Sequence, residues 1–346
     1  MSFRSAVLFL MAVVLLIALG AVAFLFGRHS SSVSVFRPDR ALSHSPLDSK
    51  RVGAEKENVV QKLPDRPIKI LFGGDMMLDR FIRERAEKMG KDAIVSDIQE
   101  TLEQANLVVV NLEGPITTNS SKSAGSTPGE MRNYLFTFDT AWAPVLASSN
   151  IRMVNIGNNH ILNFGEAGLM ETRKFLSDAG IRFFGDPIDD SFRTASVEIE
   201  GTKIGFVNYN AFYLPESAES RSLEDIARLR ESVDVLFVYA HWGNEYASAT
   251  SEEKRLARLF VDQGADAVIG SHPHVVQEKE VYREKTLYYS LGNFVFDQYF
   301  RPDVSKGLLV EVSIDPNHSL SFRDIPIALL PDGTTRLLPP SSKKAP

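Results

Sequence analysis

With 346 residues, 44% apolar and 24% charged, the chain has material for one large or two ordinary globular domains. A net charge of −6, with no long basic run, argues against nucleic acid as a partner. There is no cysteine, so any metal must be held by His, carboxylate, amide or water, and neither Cys nucleophiles nor disulfides enter the chemistry.

The chain starts with an uncharged apolar run from Ala6 to Phe26. Its length suffices for a helix across the roughly 30 Å hydrocarbon core of a bilayer, and it is apolar all round, unlike a helix of a globular core. Ala21-Val22-Ala23 has the small-residue form of a signal cleavage site, so a transmembrane anchor or a signal peptide over 1–28 both fit. The apolar run continues through Phe24-Leu25-Phe26, which favours the anchor. Arg28, Arg37 and Arg40 follow the span, yet long domains cross largely regardless of flanking charge. The expectation is a single-pass protein of the cell membrane with its C-terminal domain outside the cytoplasm. Residues 29–67, rich in Ser, Pro and charge, read as a flexible linker. A folded domain is expected over 68–330, followed by a disordered tail over 331–346.

Strands are expected at Ile68–Phe72, Leu107–Val110, Ile151–Ile156, Val235–Tyr239 and Ala265–Ile269, each a short apolar run bounded by turn residues. Helical spacing covers Arg80 to Asn106, Trp142–Ser149, Glu166–Ala179, Leu223–Ser232 and Glu252–Gln263. Thr194–Glu200 and Lys203–Asn208 flank Gly201-Thr202 as a hairpin. Thr117 to Arg132 reads as a long loop, and long loops in compact domains are often functional. The end of the chain is β-like at Lys279–Tyr282, Thr286–Leu291, Gly307–Ile314 and Leu320–Ala328. Strands alternating with helices, then more strands, indicate an α/β domain with antiparallel additions.

Five of these strands run into polar clusters. They carry Asp75; Asn111 with Glu113; Asn159 with His160; His241 with Glu245 nearby; and His272 with His274. Ligands of α/β proteins sit at the carboxyl ends of strands, and paired imidazoles suit a borderline divalent metal. Extended geometry would point His272 and His274 the same way. Singly, each position also has a structural reading: Asp75 could cap the next helix, Asn159 could hold a turn, and His241 could be a core histidine.

The runs Gly74-Asp75-Met76-Met77-Leu78, Asn111-Leu112-Glu113, Gly157-Asn158-Asn159-His160, His241-Trp242-Gly243-Asn244-Glu245, Gly270-Ser271-His272-Pro273-His274 and Ser290-Leu291-Gly292-Asn293-Phe294 resemble the CapA family, also called PgsA. These are capsule and poly-γ-glutamate synthesis proteins. The family is similar to calcineurin-like metallophosphoesterases, so the resemblance implies a β-sandwich flanked by helices around a metal centre. It further implies Asp75, Glu113, Asn159, His241, His272 and His274 as ligands of one or two divalent ions (Mn, Zn, Fe or Mg), with His160 as the catalytic histidine. Asn111, Glu245 and Asn293 are further candidates for the pocket. Two departures stand out: Met77 replaces a ligand histidine of the superfamily, and Glu113 replaces a bridging aspartate. The implied function is a metal-dependent hydrolase of capsule or poly-γ-glutamate biosynthesis. The alternative is a non-catalytic subunit that binds the polymer. The expected partners are an anionic surface polymer or its precursor, membrane synthase or export subunits, and the membrane itself.

Overall fold

Strand β1 (Ile68–Met76) sets the layering. Alternate side chains of a strand leave on opposite faces. Ile68, Ile70 and Phe72 enter one apolar cluster, while Leu71 enters another. The structure is a computed structural model that describes residues 66–339. The expected anchor over 1–28 and nearly all of the linker over 29–67 lie outside the described residues. Among those residues no helix is long and apolar enough to cross a membrane.

The remaining strands are β2 (Leu107–Leu112), β3 (Ile151–Asn155), β4 (Arg182–Phe184), β5 (Thr194–Ile199), β6 (Thr202–Asn210), β7 (Val235–His241), β8 (Ala267–Ser271), β9 (Lys279–Tyr282), β10 (Lys285–Tyr288), β11 (Asn293–Val295), β12 (Lys306–Ile314), β13 (Leu320–Leu329) and β14 (Thr335–Leu337). They form two mixed sheets. The first runs β14-β13-β12-β1-β2-β3-β4 with β11 added beside β1, and the second runs β5-β6-β7-β8-β10-β9. Strands β1 to β4 are parallel to one another, as are β6, β7, β8 and β10.

The inner faces of the two sheets share one cluster, with Phe72, Val109 and Val310 from the first against Phe206, Phe237 and Ile269 from the second. The Phe72 and Phe237 rings are 4.9 Å apart. On the outer face of the first sheet lie the helices α1 (Arg80–Met89), α2 (Gln99–Glu103), α3 (Trp142–Ser148) and α4 (Gly165–Asp178), through Ile82, Leu102, Leu146 and Leu169. On the outer face of the second lie α5 (Pro215–Arg230) and α6 (Ser251–Asp262), through Ile226, Leu229, Leu256 and Phe260. The mixed α/β fold is therefore helices, sheet, sheet, helices.

Several boundaries depart from the sequence expectation. The stretch from Arg80 to Asn106 is broken after Met89, where Gly90 sits at φ +91°, and continues as 3-10 turns before α2. Helix α5 starts eight residues early, at Pro215, whose fixed φ suits a first helical position although the next turns carry little apolar signal. The tail expected to be disordered from 331 instead adds β14 to the edge of β13, with Leu329 opposite Thr335.

Candidate metal centre

Both sheets direct the carboxyl ends of their parallel strands to one pole. Asp75 lies within β1 rather than at a helix start, so it caps nothing; α1 begins only at Arg80. Asp75 reaches the pole because Gly73-Gly74 lets β11 close in. A Cβ on Gly74 would stand 1.8 Å from the Gly292 carbonyl oxygen, and the Asp75 N–H donates to that oxygen at 3.0 Å. Any side chain at 74 would push β11 away.

Two groups of ligand-type atoms gather there. Asp75, Glu113 and His274 form one, and Glu113, His241 and His272 the other, with the atoms in each within 4.8 Å of one another. Glu113 belongs to both. Asn159 is exposed, but its Oδ1 comes within 2.9 Å of His241 Nε2, which adds an amide to the second group. Extended geometry is not what unites the histidines. Strand β8 ends at Ser271, and His272 and His274 both hold positive φ, +96° and +57°. Such conformations are strained for residues with a Cβ and concentrate at functional sites. The His272 ring turns toward His241, 4.8 Å between centroids, while His274 Nε2 lies 3.6 Å from Glu113 Oε1.

Asn111 is the hub beneath this centre. Its Nδ2 donates to Asp75 Oδ1 at 2.8 Å and lies 3.3 Å from His241 Nδ1. Its Oδ1 accepts from Asn155 and Asn158, which fixes the amide's orientation. Asn155 and Asn158 escaped the sequence reading, although Asn155 ends an apolar strand as Asn111 does. Asn163 was missed as well. It accepts from the Phe136 N–H at 2.8 Å and faces His160 Nδ1 at 3.2 Å. His160 stacks on Phe136 and carries Nε2 to 3.8 Å from Glu113 Oε1. Glu245 is exposed and joins neither group; it acts on Glu113 only as a further negative charge. Met77 is fully buried in the apolar cluster under α1 and provides no ligand.

The electrostatics follow from burial. For Asp75, burial pushes upward, but the hydrogen bond and charge of His274, the charge of His241 and the N–H of His272 outweigh it and hold the carboxyl far below the usual range. Glu113 goes the other way: burial, and then the charge of Asp75, raise it well above an ordinary glutamate. Burial depresses His241 strongly, His272 to about 3 and His160 to about 4.

Neither Glu113 oxygen nor His272 Nδ1 has a hydrogen-bond partner, although all three atoms are buried. Burying such groups unpaired is costly. A divalent cation shared between two carboxylates and neutral imidazoles removes that cost, and the donor set of oxygen and imidazole nitrogen suits one. The residues fit a metal.

A model of the bacterial capsule synthesis protein family PGA_cap matches residues 69–298, well over half of the chain. The chain belongs to this CapA family. Similar curated proteins include the capsule biosynthesis protein CapA of Bacillus anthracis, 25% identical over 65% of this chain and 59% of that protein. The PGA biosynthesis protein CapA of Bacillus subtilis is 27% identical over 78% of this chain and 73% of that protein. A probable polyglutamine synthesis accessory protein of Mycobacterium tuberculosis is 28% identical over 44% of this chain and 47% of that protein. The CapA-family match covers Asp75, Glu113, Asn159, His160, His241, His272, His274 and Asn293, so the whole pole lies inside it.

Proposed function

We propose that this CapA-family protein serves the synthesis of an anionic surface polymer of the poly-γ-glutamate kind, and that it does so as a metal-dependent hydrolase resembling the metallophosphoesterases. The observation that carries the reading is the pair of carboxylate–histidine groups sharing Glu113, whose two buried oxygens have no other partner. The names of the relatives support the polymer. The apolar run before Arg28 supports a membrane anchor with the pole outside the cytoplasm.

In this reading Asp75, Glu113 and His274 hold one cation, and Glu113, Asn159, His241 and His272 hold a second. Divalent ions in such a centre stabilise negative charge developing on a phosphoryl or acyl oxygen of the substrate. The chain's own residues do the rest. Asn111 holds Asp75 and His241 in place across the two sheets. Burial keeps His160 uncharged near neutral pH, and with Nδ1 directed to Asn163 its Nε2 is free to take up a proton beside Glu113. This gives His160 the part of proton acceptor more readily than that of resident acid. A cleft of about 280 Å³, bordered by Arg80, Tyr134, Tyr246 and Phe300, provides room for the polymer. It meets the centre at Tyr246, whose ring centroid is 6.1 Å from that of His274.

The burial of Met77 favours a second reading, a polymer-binding accessory subunit, because it leaves the Asp75 group one ligand short of the superfamily pattern. Elemental analysis of the full chain purified without chelator, beside His272→Ala/His274→Ala, separates the two when combined with a screen of phosphoester and γ-glutamyl substrates. Metal lost in the double variant, with turnover in the parent, supports the hydrolase. Metal without turnover supports the accessory subunit. No metal in a folded parent overturns both assignments of the pole.

A further inference from the structure

We propose that Asn293 is a positioning residue: it fixes the tautomer of His274 so that Nε2, and not Nδ1, is offered to a cation at the Asp75–Glu113–His274 group. The inference rests on the metal reading of the pole but concerns a property of the metal-free chain.

The orientation of the Asn293 amide is determined by its surroundings. Its Nδ2 faces the Val304 carbonyl at 3.0 Å, Gln298 Oε1 at 3.1 Å and the His274 carbonyl at 3.5 Å. Backbone carbonyls only accept, so the NH₂ end must lie there. Oδ1 is then left 2.9 Å from His274 Nδ1. An amide oxygen cannot donate, so in the uncharged ring the hydrogen resides on Nδ1 and the lone pair on Nε2. Asp75 Oδ2, 3.4 Å from the same Nδ1, is also an acceptor and reinforces the choice. Nε2 faces Glu113 Oε1.

The placement of Asn293 is built into the fold. Strand β11 runs parallel beside β1 with Asn293 opposite Asp75, an approach that needs Gly74 and the left-handed Gly292 at φ +66°. Asn293 is fully buried, so water does not replace it. His241 is set the opposite way: the Asn111 amide NH₂, which only donates, faces its Nδ1 at 3.3 Å, and Asn159 Oδ1, which only accepts, faces its Nε2 at 2.9 Å. Partners of this kind around ligand histidines change metal affinity 10- to 100-fold when removed.

The test compares Asn293→Leu with Asn293→Asp in the full chain. Both lose the donors to Val304 and Gln298, and only the leucine also loses the acceptor. Nitrogen-15 NMR of the seven histidines in the metal-free protein reads the tautomers, and calorimetry reads Mn²⁺ affinity. Expected for Asn293→Leu are a loss of the Nδ1–H form of His274 and a 10- to 100-fold weaker Mn²⁺ site, the other site being unchanged. Asn293→Asp should keep both the tautomer and the affinity within a few fold. Retention of Nδ1–H in the leucine variant overturns the proposal. An equal fall of both variants with equally lowered unfolding midpoints also overturns it, by making Asn293 merely structural. If the parent binds no Mn²⁺, the metal reading fails, and the tautomer of His274 still decides the role of Asn293.

Discussion

The two sheets bring different chemistry to the same pole. The first supplies carboxylates and amides: Asp75 on β1, Asn111 on β2 with Glu113 just beyond it, Asn155 on β3 and Asn293 on β11. The second supplies imidazoles, with His241 ending β7 and His272 and His274 following β8. Each half alone would bury groups it cannot satisfy, an unpartnered Glu113 on one side and, on the other, the imidazoles of His241 and His272, whose protonation burial opposes. A centre of this kind exists only where the inner faces pack, so its geometry depends on the apolar layer that joins the sheets as much as on the ligands.

The largest effect should come from that layer. Phe237 packs against Phe72 and Phe206 between the sheets. Phe237→Ala should lower stability by about 3–5 kcal/mol and weaken metal retention together, checked by denaturant unfolding and elemental analysis. Unchanged metal retention despite the lost stability would separate the centre from the sheet packing. Glu113→Gln attacks the shared ligand. Metal should be lost from both groups, at least about 100-fold, while the metal-free protein holds or gains stability because a buried carboxyl is relieved. Retention of one full equivalent of metal would show that the two groups do not share Glu113.

Met77→His probes the position where the sequence resemblance implied a ligand histidine. The side chain lies in the cluster with Leu71 and Leu78, so an imidazole there should cost about 1–3 kcal/mol in thermal unfolding and add no metal. A gain in metal affinity would show that the position turns toward the pole. The smallest effect is the pH response of the metal-free chain, where the buried histidines and Glu113 should act in opposite senses. His272 and His160 fold with pKa values near 3 and 4, below the ordinary 6.5. The unfolded chain therefore binds more protons below pH 6.5, and their contribution is lost as pH falls from there toward 3. Glu113 folds with its pKa above the ordinary 4.5. There the folded chain binds more protons, so its contribution shrinks as pH rises past that value. Unfolding midpoints across pH 4–8 should fall at the acid end, and Glu113→Gln should flatten the upper limb. An upper limb unaltered by that substitution would remove Glu113 as its cause.

Much of the pole was legible because its residues follow apolar strands. Asp75, Glu113, Asn159, His241, His272 and His274 each stand at or just beyond the end of a short branched run, a position that topology alone turns toward a ligand. Asn155, Asn158 and Asn163 were not legible. An asparagine after a strand is ordinarily a turn residue, and only the packing of β2 against β3 shows that two of them converge on Asn111. Glu245 stays exposed outside the two ligand groups: closeness to His241 in sequence does not bring a carboxylate among buried ligands.

What the sequence determined by itself was most of the strands (though not β4, β11 or β14), the donor types and the absence of thiols, because periodicity and residue chemistry are local properties. Tertiary structure alone decided three things. The glycines at 74 and 292 let β11 lie against β1, which brings Asn293 to His274. The side chain of Met77 went to the core and not to the pole. Glu113 came to face both histidine groups at once. Each depends on contacts between residues far apart in the chain, and those are set by how two sheets fill the space between them.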